Sequence, residues 1–235
     1  QTNMVVNEIK KYFPSINIEV VHFTTKGDKV LNKPLINIGG KGVFVTEIED
    51  ALLNKEIDDF EGIAYHQNQF KKITKKDLLG KWNLFFFYPA DFTFVCPTEL
   101  EDLQEKYQEF KEVNCEIYAI STDTHFVHKM WHDMSDSISK IEYPMLSDCK
   151  HQLVYDFDVF DEEEGLAQRG SFIIDPDGKI VVYEVNSSGV GRNADELLRR
   201  LHACQFVYEH GDNVCPAKWK LGEKTIQTTI ENIGK

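Results

Sequence analysis

Cysteine carries the most reactive chemistry open to this chain, and its five cysteines, Cys96, Cys115, Cys149, Cys204 and Cys215, stand far apart. No Cys-x-x-Cys pair occurs, which disfavours a zinc ribbon or a neighbouring dithiol, and the odd count disfavours a secreted disulfide framework. Reactivity is therefore argued one sulfur at a time. Cys96 stands out through the run Tyr88-Pro89-Ala90-Asp91-Phe92-Thr93-Phe94-Val95-Cys96-Pro97-Thr98-Glu99. The apolar stretch 82–87 ahead of it reads as a strand buried on both faces, after which the chain turns and Cys96 falls where a helix begins. Pro97 suits a first helical turn, because its missing N–H would have no partner there in any case. Free N–H groups and the positive end of the helix dipole then face the sulfur and favour thiolate, the nucleophilic form.

Magnitudes show that a helix end is insufficient by itself. Lowering a thiol pKa from about 8.5 to about 6 takes roughly 3.4 kcal/mol at ~1.36 kcal/mol per unit, whereas the dipole supplies ~0.3–2 kcal/mol. A cation or further donors must join it. Arg169, just before a strand expected over 171–175, is the candidate, since its guanidinium stays charged and presents donors in a fixed fork. Thr93, three residues before Cys96, is placed to orient the sulfur or a bound oxygen by hydrogen bonding. Plainer readings stand beside these: an inert buried thiol for Cys96, a surface ion pair for Arg169, a turn hydroxyl for Thr93. Spacing alone leaves both sets open.

The elements that must position these groups follow from periodicity. Helices are expected over 98–113, 125–138 and 194–210, and strands over 82–87, 115–121, 172–175 and 179–185. The last two flank Pro176-Asp177-Gly178, a hairpin turn. Strands and helices alternating in this way predict an α/β domain around a central mixed sheet. Cys204 shares a helical stripe with Leu197, Leu201 and Tyr208 and reads as a packed thiol; Cys115 opens a strand and reads as structural; Cys149 sits in a polar loop. His125, His128 and His132 share a helix face, but no further ligand supports a metal site, and the acidic run 161–164 reads as a solvated loop. No metal or cofactor is expected.

The formal charge of −13 argues against nucleic-acid or membrane-surface partners, both of which would repel the chain. No apolar run reaches the roughly 18 residues of a membrane span, and the start Gln1-Thr2-Asn3 has neither the basic nor the apolar region of a signal peptide, so a cytoplasmic location is expected.

The stretch 85–99, with Ser121-Thr122-Asp123-Thr124-His125-Phe126, Gly165-Leu166-Ala167-Gln168-Arg169 and Val214-Cys215-Pro216-Ala217-Lys218-Trp219, resembles the two-cysteine peroxiredoxins, in particular the bacterial alkyl hydroperoxide reductase C branch. The resemblance runs from about residue 52 to the end of the chain. It implies a thioredoxin-like fold and a peroxidase in which the Cys96 thiolate attacks a hydroperoxide and becomes a sulfenic acid. Thr93 and Arg169 would position the peroxide, Pro89 and Pro97 would shape and shield the pocket, and Glu99 would orient arginines. Cys215 of a partner subunit would resolve the sulfenic acid as an intersubunit disulfide. A homodimer, usually in a ring of five dimers, is implied, with a flavoprotein disulfide reductase or a thioredoxin-type protein as reductant. The disulfide would require unwinding around 92–99 and release of the tail beyond Cys215. A holdase chaperone ring is the alternative from another function class.

The first 57 residues are different. Thr25-Lys26-Gly27-Asp28-Lys29 and Gly39-Gly40-Lys41-Gly42-Val43-Phe44-Val45-Thr46-Glu47-Ile48-Glu49-Asp50-Ala51-Leu52-Leu53 resemble an early segment of hydroxymethylbilane synthase, the porphobilinogen deaminase. That family's catalytic aspartate, arginine cluster and cofactor-bearing cysteine have no counterparts here, so no deaminase site is carried over. With one expected strand and two short helices, the piece is too small for a core of its own. It is expected to be a non-functional appendage, weakly docked or mobile, joined near residue 57 to a domain spanning 58–235.

Overall fold

The computed structural model describes Lys10, Lys11 and residues 52–233. Apart from the helical pair Lys10 and Lys11, the elements expected in the N-terminal piece, and its expected docking, lie outside the described residues. The residues from Leu52 onward form a compact unit. Its main elements are β1 (Glu61–His66), β2 (Gln69–Thr74), β3 (Trp82–Phe87), α1 (Cys96–Glu112), β4 (Cys115–Ser121), α2 (His125–Met134), β5 (Met145–Ser147) and α3 (Gln152–Asp156). The short β6 (Phe160–Asp161) and β7 (Leu166–Ala167) precede β8 (Arg169–Ile174), β9 (Ile180–Asn186), α4 (Ala194–Glu209), β10 (Asn213–Val214) and β11 (Ile226–Gln227).

The seven-stranded sheet runs β2-β1-β5-β4-β3-β8-β9. β3, β4 and β5 are parallel, while β1 and β8 flank them antiparallel, giving the mixed sheet expected from the sequence. Every residue of β3 is buried, because both faces of the sheet are covered. Leu84 and Phe86 pack with Leu100 and Leu103 of α1, Trp131 of α2, and Leu197 and Leu201 of α4. Phe85 and Phe87 point the other way, into Phe60, Leu153, Phe157 and Phe172. Asn83 is tolerated in this buried strand because its side-chain amide donates to the carbonyls of Leu78 and Lys81, both at 2.9 Å.

Several boundaries differ from expectation. α1 starts at Cys96 rather than Thr98, so the sulfur belongs to the first turn itself. β8 starts at Arg169 rather than beyond it, since Arg169 pairs with Asn186 of β9. α2 stops at Met134, four residues early, where Ser135 turns extended before a separate 3-10 turn at Ile138–Lys140. The β1–β2 hairpin carries no sequence mark of the usual kind: its two-residue turn, Gln67 and Asn68, has φ of 49° and 59° without a glycine. The Pro176-Asp177-Gly178 hairpin is as expected, with Gly178 at φ 82° closing the turn. Residues 54–57 pair with it, through Asn54 N–H to the Ile180 carbonyl at 2.7 Å and Ile57 N–H to that of Gly178 at 2.9 Å.

The register explains how distant residues meet. Phe86 of β3 faces Ser171 of β8 in an antiparallel pair. Extending that register two residues sets Arg169 opposite Tyr88, where the chain leaves the sheet for the turn leading to Cys96. Leu84, wholly buried at the centre of this sheet, gives a test of the packing. Leu84→Ala is expected to lower the unfolding free energy by about 2–5 kcal/mol. Urea titration reads this as an earlier midpoint at unchanged slope.

Candidate active site

Three segments converge on Cys96: the loop from β3, the first turn of α1, and the start of β8. The loop is pinned from below. Tyr88 donates its hydroxyl to Asp91 Oδ1 at 2.7 Å, and Asp91 Oδ2 lies 2.8 Å from Nδ1 of the buried His128 on α2. The Asp91 N–H donates to Asp123 Oδ2 at 2.9 Å. Burial, with Asp91 beside it, pushes the Tyr88 phenol far above its ordinary range, so it stays a donor. Phe92, at φ 56°, then reverses the chain. Thr93 donates to the Ala90 carbonyl at 2.9 Å, a bond within the loop that, among the described residues, leaves its lone pairs free. Among the described residues it makes no hydrogen bond to the sulfur.

α1 has no side-chain cap at its start: Val95 occupies the N-cap with helical dihedrals, followed by Cys96 and Pro97. α2 and α4, by contrast, are capped by Thr124 and Asn193. Cys96 is wholly buried, and Nη1 of Arg169 is 3.4 Å from its sulfur. The same Nη1 donates to Glu99 Oε2 at 2.6 Å, and Arg169 Nε donates to the Ser188 carbonyl at 2.7 Å. Glu99 sits on the Cys96 face of α1, three residues on. Its other oxygen accepts from the backbone N–H of Arg192 at 2.9 Å and from Arg192 Nε at 2.8 Å. Arg192 also donates to the Gly170 carbonyl at 2.8 Å and lies 3.3 Å above the centre of the Phe86 ring. Burial pulls its guanidinium pKa down and Glu99 pulls it back up.

Two guanidiniums and one carboxylate are thus gathered in a buried place against the Cys96 sulfur. Arg169 is the cation beside the helix start, and Glu99 is turned to Arg169 and Arg192.

Pro89 and Gln168 line a surface hollow of about 250 Å³ with Ser187 and Ser188, next to the carbonyl that holds Arg169. Pro97 is half-buried on α1. The structure does not bring Cys215 here. Its sulfur rests 3.9 Å from the Ala203 carbonyl of α4, in a cavity of about 550 Å³ that Cys204 also lines. All five cysteines are unpaired. Cys115 is buried, with its thiol pushed far up by burial, and Cys149 is exposed. Of the three histidines on α2, His128 serves Asp91, His132 faces the Tyr65 hydroxyl, and His125 packs on Phe70, so they point to separate partners.

Sequence reasoning missed Arg192 and the Tyr88–Asp91–His128 set. Arg192 lies in an irregular stretch just before the Asn193 cap, where no periodicity singles it out. The one available signal was Glu99, a carboxylate on a face destined for burial, which demands a cation for each side it turns to protein.

The comparisons agree with this geometry. The profile of the AhpC/TSA family matches residues 53–183, and that of the C-terminal domain of 1-Cys peroxiredoxin matches 203–233. The profile of the porphobilinogen deaminase dipyromethane cofactor binding domain matches residues 1–66. Alkyl hydroperoxide reductase C of Staphylococcus epidermidis is 51% identical over 187 residues, which is 79% of this chain and 99% of that protein. The Bacillus subtilis protein of the same name is also 51% identical, over 185 residues, again 79% of this chain and 99% of its own. The crystal structure of Enterococcus faecalis AhpC superposes with a TM-score of 0.69 at 56% identity, covering 70% of this chain and 99% of that one. A reduced 2-Cys peroxiredoxin of Plasmodium vivax gives a TM-score of 0.74 at 30% identity, covering 78% and 96%. From residue 53 onward, with its buried sulfur at the head of α1 and its mixed sheet, this chain belongs to the AhpC/TSA family of peroxiredoxins.

Proposed function

We propose that this thiol peroxidase works through Cys96 and Cys215, with Arg169 and Thr93 directing the peroxide. The observation that carries the reading is the Arg169 guanidinium 3.4 Å from a buried sulfur at a helix start. The Cys96 thiolate attacks the terminal oxygen of hydrogen peroxide or an alkyl hydroperoxide. The S–O bond forms as the O–O bond breaks, and the departing oxygen takes a proton to leave as water or alcohol. Arg169 faces the negative charge that develops on that oxygen, and Thr93 keeps a lone pair for the peroxide proton. Pro89 and Pro97 bound the pocket and limit water around the sulfenic acid. Glu99, tied to both arginines, is a positioning residue.

The thiol of Cys215 from a partner subunit then condenses with the sulfenic acid, releasing water and forming the intersubunit disulfide. Both ends must move. Cys96 is buried in a folded turn, and the tail is held by Trp219, whose ring is buried, whose carbonyl accepts from Arg199 at 3.0 Å, and whose indole N–H donates to the Glu223 carbonyl at 3.0 Å. The uncapped start of α1 supports unwinding over 92–99. A flavoprotein disulfide reductase or a thioredoxin-type protein reduces the bond. A homodimer is supported by the edge position of β9 and by the exposed apolar tail residues Leu221, Ile230 and Ile233. Assembly into a ring of five dimers is supported by a second exposed apolar surface at Phe70, Phe92 and Phe126. The comparisons favour the peroxidase over a client-holding ring.

The peroxidase unit is bounded on the same grounds. Residues 54–57 pair with the β8–β9 hairpin. We therefore place the end of the appended, non-functional segment ahead of them, within the overlap of the two profile matches and earlier than residue 57.

Cys96→Ser is expected to abolish peroxide consumption. Non-reducing electrophoresis after one equivalent of peroxide is expected to show a covalent dimer, lost in Cys96→Ser and in Cys215→Ser; a dimer surviving either change would refute the pairing. Arg169→Met is expected to slow the peroxide step by at least about 100-fold, the scale of one preorganised donor. Arg169→Lys should recover little of that rate, since the fork that reaches both Glu99 and the sulfur is lost. Glu99→Gln is expected to destabilise the fold by about 3–5 kcal/mol, because two buried guanidiniums then lack their shared anion. Thermal unfolding at matched pH measures this.

A further inference from the structure

Cys204 is not the fully packed thiol that its helical stripe predicts. It is half-buried and lines the same cavity of about 550 Å³ as Cys215, with Arg199, Arg200 and Val182 in the walls. After α4 the chain reverses through a turn in which the Asn213 N–H donates to the His210 carbonyl at 2.8 Å, and the tail runs back along the helix. That reversal sets the Cys215 sulfur 3.9 Å from the carbonyl oxygen of Ala203, the residue joined to Cys204. One peptide unit separates that oxygen from the Cys204 Cα, so backbone dimensions place the Cys215 sulfur within roughly 7 Å of it. Both sulfurs' residues line one cavity, so movement of the tail within it would bring the two residues to disulfide geometry. Few residues lie between them, so closing the loop costs little entropy.

We propose that Cys204 is a second resolving thiol, which takes Cys215 from the intersubunit Cys96–Cys215 disulfide and leaves a Cys204–Cys215 disulfide within one subunit. The inference rests on the roles assigned above to Cys96 and Cys215. The Cys204 thiol gives its proton to solvent, and its sulfur attacks that of Cys215. The Cys204–Cys215 bond forms as the bond from Cys215 to the partner's Cys96 breaks. Cys204 is oxidised, Cys96 is reduced and leaves as thiolate beside Arg169, and no further oxidant enters. Cys215 in the covalent dimer belongs to the subunit whose α4 carries Cys204, so the tail completes the exchange by returning to its own helix.

The surroundings set the pace. Burial, and next the neighbouring Cys215, push the Cys204 thiol up to about 11, while Arg199 and Arg200 act the other way. Asp175 and Tyr208 complete the charged and titratable lining. Exchange runs through the thiolate, so the rate rises with pH across the neutral and mildly alkaline range.

The experiment treats the reduced full chain with one equivalent of hydrogen peroxide, removes the excess, and follows samples by non-reducing electrophoresis and peptide mapping. The expected result is a covalent dimer that decays to monomer without added reductant, about tenfold faster per pH unit below the Cys204 pKa. A Cys204–Cys215 peptide appears as Cys96 becomes alkylatable again. In Cys204→Ser and Cys204→Ala the dimer band persists. A wild-type dimer that persists, with only the Cys96–Cys215 peptide present, overturns the exchange and leaves the peroxidase reading standing. Absence of any Cys96 disulfide overturns both.

Discussion

The structure of the site depends on one buried carboxylate shared by two guanidiniums. Glu99 holds Arg169 and Arg192, and Arg169 alone reaches the sulfur of Cys96. Charges of this kind are expensive to remove from water and survive only when every one is paired. Cys96 lies against this set, its sulfur 3.4 Å from Nη1 of Arg169. Helix, strand and loop contribute one or two members each, so the cluster ties α1, β8 and the approach to α4 together beside Cys96.

That same burial limits what can reach the sulfur. Cys96 has no exposed surface in this conformation. The fold distributes its restraints unevenly around it. The loop ahead of Cys96 is anchored at Asp91, through Tyr88, His128 and Asp123. From Phe92 onward the anchors thin out: Phe92 and Phe94 are exposed, Thr93 bonds within the loop, and α1 begins without a side-chain cap. The ties are thus firm at Asp91, sparser over 92–95, and firm again at Glu99, which Arg169 and Arg192 hold.

Much of this was legible in the residues. The apolar run of β3, the Pro-Asp-Gly turn and the periodic helices announce an α/β sheet, and Cys96 followed by Pro97 announces a helix start. Arg169 was legible as a cation near a strand, although its approach to Cys96 depends on a strand register that no local pattern encodes. Arg192 escaped notice because its role comes from tertiary pairing with Glu99, not from spacing. The β1–β2 hairpin escaped because Gln67 and Asn68 take left-handed dihedrals without the glycine that usually marks such a turn. Cys204 read as core because its stripe was right; what periodicity omits is that the tail, rather than the sheet alone, packs against that part of α4.

The hairpin that receives residues 54–57 lies at the end of β8 opposite Arg169. Six residues of extended chain span about 17–20 Å, so residues 54–57 join this unit well away from Cys96. A change at residues 54–57 therefore bears on the β8–β9 hairpin and leaves the surroundings of Cys96 untouched.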